Sequence, residues 1–426
     1  MKEITHIIGA GRSGTAAAKL SALNKNGTGC VFSEKRSDEE ILKELSGIGY
    51  AWSDRLPDRM GDSRIIVSPG FALDHPWIRK LMAQNATLLS ELEWGREALE
   101  GQVTAITGSL GKTSMVLLAE ALLKDAGYKV TVSGNIGIPV CEIALNSPRA
   151  DFHVVEVSSF QLEHVKNLMP DRALCLNLVP NHLDRHGTLA EYAGAKARLF
   201  EGMTSSQLAV WPEDFPVNLQ SRARRIDPRE VRLPELVGTR FASGPLRTNL
   251  RMLMAVLQGI DGVDAIQQEE VIRAFRFPEH RMQELDIPGA GRVIDDSKST
   301  CLTATKAAMA SIPGQVHLVM GGLEKGEDLH QLDALFAERN PNIYLFGASA
   351  KKMRAVWKDS VDVCLSFDTL EDALRAVRVR RDREEPLLFS PGCASFDQYS
   401  GYTERGHDFR RWVEHLFATF STTAPL

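Results

Sequence analysis

Val103-Thr104-Ala105-Ile106-Thr107-Gly108-Ser109-Leu110-Gly111-Lys112-Thr113 runs from an apolar strand into a glycine-bearing loop, and a helical pattern continues from Ser114 to Ala126. Strand, Gly-rich loop, Lys-Thr and helix make a cradle for the phosphates of a nucleoside triphosphate. Backbone N–H groups surround the anion, Lys112 reaches the β- and γ-phosphates, and the Thr113 hydroxyl ligates Mg²⁺. The strict pattern wants glycine at 106, where this chain has Ile106. The bland alternative is a plain loop with a surface lysine, and the correctly placed strand and helix weigh against it.

Downstream, the strand Phe152 to Val157 delivers Glu156 near its C-terminal end. Ligands of open α/β sheets gather at that edge, and Mg²⁺ takes one or two carboxylates plus phosphates and water. Another buried strand, Ala173 to Leu178, leads into Asn177-Leu178-Val179-Pro180-Asn181-His182-Leu183-Asp184-Arg185-His186, a crowd of polar and titratable groups. Thr188 to Phe200 reads as a helix in which Leu189, Tyr192, Ala193 and Phe200 share a face with Lys196. An inward lysine must be paired or chemically altered, because a bare buried charge is costly. The alternative is that its stem alone is buried and the amine reaches the helix edge.

Upstream, Gly9-Ala10-Gly11-Arg12-Ser13-Gly14 follows the strand Thr5 to Ile8 and precedes an Ala-rich helix from Thr15. Glycines there let the backbone approach a diphosphate, and Glu34, about 20 residues on, can hold a ribose hydroxyl. The motif does not separate a dinucleotide from a nucleotide-sugar, and a ligand-free tight turn is the third option. Towards the C-terminus, three small-residue loops follow strands: Asp295 to Thr300, Gly321 to Gly326 and Ser390 to Asp397. They carry Lys298, Lys325, Thr300 and Ser395, a set suited to a small carboxylate.

Strands alternating with helices predict an α/β fold with mostly parallel sheets. Three blocks are expected, at 1–94, 95–284 and 285–426: an N-terminal Rossmann-like block, a central P-loop-type ATPase sheet and a C-terminal Rossmann-like block. The 426 residues carry 50 Lys and Arg against 55 Asp and Glu, a net charge of −5, which gives no global pull on nucleic acid or anionic lipid. No apolar run approaches the roughly 18 residues of a membrane span. Six scattered cysteines suit a reducing cytoplasm.

Eight stretches then occur in order: Thr107 to Thr113, Gly134-Asn135-Ile136-Gly137, Glu156 to Glu163, His182-Leu183-Asp184-Arg185, Ala195-Lys196-Ala197-Arg198, His280-Arg281, Asp296-Ser297-Lys298 and Ser390 to Gln398. Together they resemble the Mur ligases over nearly the whole chain. The resemblance implies UDP-binding, ATP-binding and amino-acid-binding domains. It also implies an ATP-dependent peptide synthase of peptidoglycan precursor synthesis, adding D-glutamate to a UDP-N-acetylmuramoyl-L-alanine substrate through an acyl phosphate. Gly9, Gly11 and Gly14, with Glu34, Ser68 and Gly70, then serve the UDP end. Asn135, Ser159 and Gln161 serve the muramoyl substrate. Gly108, Ser109, Gly111, Lys112 and Thr113 hold the ATP phosphates, joined by Asn249, Arg281 and Asp296.

In the same resemblance, Thr113, Glu156, His182 and a carbamylated Lys196 hold Mg²⁺, with Lys112, His182 and Lys196 catalytic. Lys298, Thr300, Lys325, Ser395, Phe396 and Tyr402 surround the amino acid. A cytoplasmic monomer is expected, with no nucleic acid and no membrane insertion. The chain departs from the family pattern at Leu110, where asparagine is usual, and at Asn181, where aspartate is usual. A Gly-x-His-Asn segment is missing around Asn249. Addition of a different amino acid such as L-glutamate is the near alternative. An NAD-dependent oxidoreductase and a non-catalytic nucleotide-binding module are the remote ones.

Overall fold

The computed structural model describes residues 4–25, 27–36, 38–60 and 63–417. The chain divides into two compact units, one of Met1–Leu178 with Ala190–Phe275, the other of Val179–Leu189 with Arg276–Leu426.

The first unit holds two sheets. In the N-terminal sheet, β1 (Thr5–Ile8), β2 (Gly29–Phe32), β3 (Tyr50–Ser53), β4 (Arg64–Val67) and β5 (Leu88–Ser90) lie in the order β3-β2-β1-β4-β5. Every pairing is parallel. Ile7, Ile8, Val31, Ile65 and Ile66 are fully buried. Helices on both faces of a parallel sheet ask for continuous apolar strands, which these are. Helix Arg12–Lys25 starts three residues earlier than its Ala-rich pattern indicated.

The second sheet contains β6 (Glu100–Thr107), β7 (Val130–Gly134), β8 (Arg149–Glu156), β9 (Arg172–Cys175), β10 (Leu208–Val210) and β11 (Arg224–Arg225), ordered β11-β10-β9-β6-β8-β7. Strand β6 pairs with β8 on one side and β9 on the other, with Ile106 opposite both Glu156 and Leu174. Parallel pairing in this register sets the C-terminal ends of β6 and β8 side by side, so Glu156 is placed at the mouth of the 108–113 loop.

Two acidic side chains join the sheets of this unit. Helix Glu91–Arg96 follows β5 directly and opens with a Ser90–Glu93 capping box. Glu93 Oε1 accepts the backbone N–H groups of Lys166 (2.8 Å) and Asn167 (2.6 Å). Glu91 Oε1 accepts that of Cys141 at 2.7 Å, while its buried Oε2 has no hydrogen-bond partner among the described residues. A carboxylate placed so deeply is favoured in its neutral form, and burial pushes the Glu91 carboxyl up to about 7.

The second unit has one sheet: β12 (Gln283–Leu285), β13 (Val293–Asp295), β14 (His317–Gly321), β15 (Asn342–Phe346), β16 (Cys364–Phe367) and β17 (Leu387–Gly392), ordered β12-β13-β17-β14-β15-β16. Only the β12–β13 pairing is antiparallel among the described residues. Residues of the third block thus enter this sheet at Gln283. Helix Tyr402–Phe417 lays Phe409, Val413 and Leu416 on it, and Phe409 stacks on Phe389 at 4.3 Å between ring centroids.

Replacing Glu91 by glutamine tests the buried carboxyl. Its pKa is raised in the fold, so the folded state holds the proton that the unfolded chain releases near pH 4.5. Wild-type stability should therefore fall as pH rises from about 4.5 to about 7 through this group. In Glu91→Gln that part of the slope should vanish in urea midpoints measured across the window.

Candidate functional site

The 108–113 loop is built by its backbone. Gly111 has φ 85° and caps helix Lys112–Asp125. A Cβ on it would lie 2.5 Å from Asn249 Nδ2, so both its dihedral and its neighbour demand glycine. Asn177 braces the loop from β9's end: its Oδ1 accepts the Leu110 N–H and its Nδ2 donates to the Leu110 carbonyl, both at 2.9 Å. Asn177 Nδ2 also reaches Asn249 Oδ1 at 3.3 Å. Buried Asn249 thus stands under the loop as part of its support.

Two lysines converge here. Lys112 Nζ donates to the carbonyls of Gly108 (2.7 Å) and Ser109 (3.0 Å). Lys196 Nζ donates to the same Gly108 carbonyl at 3.0 Å and to Thr107 Oγ1 at 3.3 Å. Lys196 is 1% exposed, so the helix Leu189–Ala197 does bring it inward and the edge-reaching alternative fails. Its ammonium lies 4.5 Å from the Tyr192 ring centroid. Burial, and after it the Lys112 charge, hold its pKa well below the usual lysine value.

Across the same sheet edge, Glu156 Oε1 accepts from Asn135 Nδ2 at 2.9 Å. Its Oε2 is buried with no hydrogen-bond partner among the described residues. Ser159 and Gln161 open the next turn, where Ser158 and Gln161 form a capping box, so the Gln161 amide oxygen is engaged locally. Glu156, Lys196, Lys112 and Asn135 are brought together as the sequence indicated.

At the first glycine turn, a Cβ on Gly14 would fall 1.8 Å from the Gly9 carbonyl oxygen. That close helix-to-strand approach excludes any other residue there. Gly11 and Gly70 face open space, and Ser68 Oγ touches the Gly9 carbonyl at 3.4 Å. Glu34 is exposed and pairs with His75 Nε2 at 3.3 Å. Arg12, passed over in the sequence, pairs with Glu142 at 3.0 Å and donates to the Gly137 carbonyl at 2.5 Å. It ties the first turn to the Gly134–Gly137 loop that carries Asn135.

In the second unit, His182 adopts a left-handed φ of 55° just ahead of helix Leu183–His186. Lys325 Nζ donates to Thr300 Oγ1 at 3.2 Å, and Lys298 Nζ sits 3.8 Å above the Tyr402 ring. Ser395 is buried and Phe396 lies exposed. Asp296 is turned inward. It accepts from Met282 N (3.0 Å), Ser390 Oγ (2.9 Å) and Ser299 Oγ (2.5 Å), and burial raises its carboxyl to about 6. A ribose hydroxyl would have to share that carboxylate with three protein donors.

The residue that organises these loops is Arg405, fully buried. Its guanidinium donates to Ser297 O (2.8 Å), Ser297 Oγ (3.2 Å), Cys393 O (3.0 Å) and Gly321 O (3.4 Å). One side chain thus pins all three strand-end loops. A signal was present: Arg405 lies four residues before Phe409, on the inward face of its helix.

These sheets and this loop define a nucleotide-binding α/β protein whose phosphate cradle is joined to a buried lysine and a carboxylate. The family described as the Mur ligase middle domain matches residues 106–233. The UDP-N-acetylmuramoylalanine–D-glutamate ligase of Koribacter versatilis is 31% identical, covering 96% of this chain and 97% of that one. The enzyme of the same name from Nitratidesulfovibrio vulgaris is 33% identical, covering 97% and 96%. Among solved structures, the MurF ligase of Thermotoga maritima in complex with ADP superposes with a TM-score of 0.62 at 16% identity, covering 92% of this chain and 95% of that one. The chain belongs to the Mur ligase family.

Arg405→Met removes the donors and leaves several buried carbonyls unpaired, at about 1–3 kcal/mol each. Urea unfolding followed at Trp357, buried in the same unit, should show a loss of about 3 kcal/mol or more. A loss under about 1 kcal/mol would mean the loops hold themselves.

Proposed function

We propose that this chain joins D-glutamate to UDP-N-acetylmuramoyl-L-alanine at the expense of ATP, in the cytoplasm, for peptidoglycan precursor synthesis. The observation that carries the reading is the trio of Lys112, Lys196 and Glu156 at the ends of β6 and β8. Its support from relatives is the shared name of near-full-length homologues at about one-third identity, and the ADP in the Thermotoga maritima neighbour.

The alanyl carboxylate attacks the γ-phosphorus of ATP. An oxygen–phosphorus bond forms, the bond to the β-phosphate oxygen breaks, and ADP leaves. The amine of glutamate then attacks the acyl phosphate carbonyl. A carbon–nitrogen bond forms and inorganic phosphate departs. Lys112 exchanges its loop carbonyls for phosphate oxygens and offsets their growing charge, while the loop N–H groups hold the phosphates in line.

The buried Glu156 Oε2 without a partner and the Thr113 hydroxyl fit a divalent cation. Glu156, Thr113, His182 and Lys196 as a carbamate would hold Mg²⁺, which supplies charge neutralisation on the phosphates. Carbamylation accounts for Lys196: the neutral amine adds CO₂, loses a proton and becomes an anion. Asn135 orients Glu156 and the muramoyl end. The first glycine turn with Ser68, Gly70 and Glu34 takes the UDP group. Lys298, Thr300, Lys325 and Ser395 receive the two carboxylates of glutamate, which suits a cation-rich pocket. Division of the chain at about residues 94 and 284 into UDP-, ATP- and amino-acid-binding parts goes with this assignment.

Phosphate release should require ATP, UDP-N-acetylmuramoyl-L-alanine and D-glutamate together, with L-glutamate at least about tenfold poorer, a difference of about 1.4 kcal/mol. Equal release without the amino acid would overturn the reading. Lys112→Ala should cost at least about 10²-fold in kcat. Stripping CO₂ from the buffer should lower wild-type turnover, and bicarbonate should restore it. Lys196→Ala should stay low under both conditions, and unchanged wild-type turnover in stripped buffer would remove the carbamate.

A further inference from the structure

A second set of chemistry-bearing groups lies in the second unit, outside the proposed ligase machinery. One ligand atom each from Glu279, His280 and His407 lies within 4.8 Å of the other two. The rings of His280 and His407 stand 5.0 Å apart at 68°. His280 is 3% exposed, and its Nδ1 lies 2.6 Å from Asp295 Oδ2. Asp295 is itself fixed, its Oδ1 accepting the Ser297 N–H at 2.9 Å. A carboxylate on Nδ1 sets that nitrogen as the protonated one and leaves the lone pair on Nε2. That Nε2 is buried and, among the described residues, has no hydrogen-bond partner.

A buried ring nitrogen with nothing to bind is a cost the fold carries for a reason. A carboxylate behind one imidazole nitrogen, with the other nitrogen bare and two further ligand groups nearby, is the arrangement that presents histidine to a metal. We propose that Glu279, His280 and His407 bind a divalent transition metal of the zinc class. His280 uses Nε2, His407 a ring nitrogen and Glu279 its carboxylate. Two imidazoles and a carboxylate suit zinc and its neighbours, whereas Mg²⁺ and Ca²⁺ prefer all-oxygen sets.

Bonds of about 2.0–2.1 Å around a tetrahedral ion place ligand atoms about 3.3 Å apart. Glu279 and His407 are exposed side chains, so a small change of rotamer closes the set. Three protein ligands leave a fourth position for water. The His280 carbonyl accepts the Lys298 N–H at 3.0 Å. A bound ion therefore clasps the segment carrying Arg281 and Lys298 to helix Tyr402–Phe417. The site does not depend on the ligase reading.

The test uses the untagged full-length chain, stripped with chelator and then equilibrated with Zn²⁺ alone, and metal content is counted by elemental analysis. Wild type should retain one more equivalent than His407→Ala. Glu279→Gln should bind that equivalent at least tenfold more weakly. Zn²⁺ should raise the thermal midpoint of wild type and not that of His407→Ala, while the two metal-free midpoints agree. Equal metal content in wild type and His407→Ala, whether zero or more, overturns the proposal. Equal affinity in Glu279→Gln removes the carboxylate from the set and with it the three-ligand site. Ligase turnover of the metal-stripped wild type with Mg²⁺ and no Zn²⁺, measured separately, reports on the ligase reading alone.

Discussion

The Gly108 carbonyl accepts from two lysines at once, and that sharing constrains everything around it. Two ammonium groups on one acceptor repel strongly where little water screens them. Lys112 is partly open to solvent, whereas Lys196 is sealed in. Burial, and after it the Lys112 charge, push the Lys196 pKa down. Lys196 and the Glu156 carboxylate are both buried at this sheet edge. The phosphate loop and the inward helix Leu189–Ala197 meet at the Gly108 carbonyl.

The second unit solves the opposite problem with a different cation. Arg405 is fully buried yet keeps a charge, because its fork of donors meets carbonyl and hydroxyl oxygens on three loops. Burial lowers it only to about 10, still protonated near neutrality. Lysine could not replace it, since one ammonium cannot span three loops. Lys298 and Lys325 are thereby left to face outward from a frame that is already electrostatically satisfied, held by Tyr402 and Thr300 in turn.

Much of this was legible in the chain because both glycine loops follow apolar strands and precede helices, a pattern that fixes the local backbone. The inward position of Lys196 followed from its spacing to Leu189 and Tyr192. Strands β3, β10, β11 and β16 were not legible. They are two to four residues long, and Arg224–Arg225 or Ala51 carry no apolar alternation, so only pairing with a neighbour defines them. The sheet-joining roles of Glu91 and Glu93 were equally hidden. Their partners at residues 141 and 166–167 lie about 50 to 74 positions away, beyond any local pattern. Arg12 likewise looked like filler between glycines, because its partners Gly137 and Glu142 lie more than 120 residues away.

The substitution of Leu110 for the usual asparagine can be weighed in the same terms. The loop's shape at this position is held through the backbone: Asn177 closes a two-point bracket on the N–H and carbonyl of residue 110. Ser109 N–H donates to the Asn177 carbonyl at 3.0 Å, fixing the neighbouring peptide to the same residue. None of these contacts uses the side chain at 110. What the loop requires is glycine at 111, where φ is 85°, and an amide at 177 to hold the turn open towards its N–H groups. A leucine at 110 alters the surface beside the phosphates without altering the cradle. Asn181 is a different case: its Oδ1 is buried and has no hydrogen-bond partner among the described residues. A neutral amide there removes one negative charge from the neighbourhood of His182.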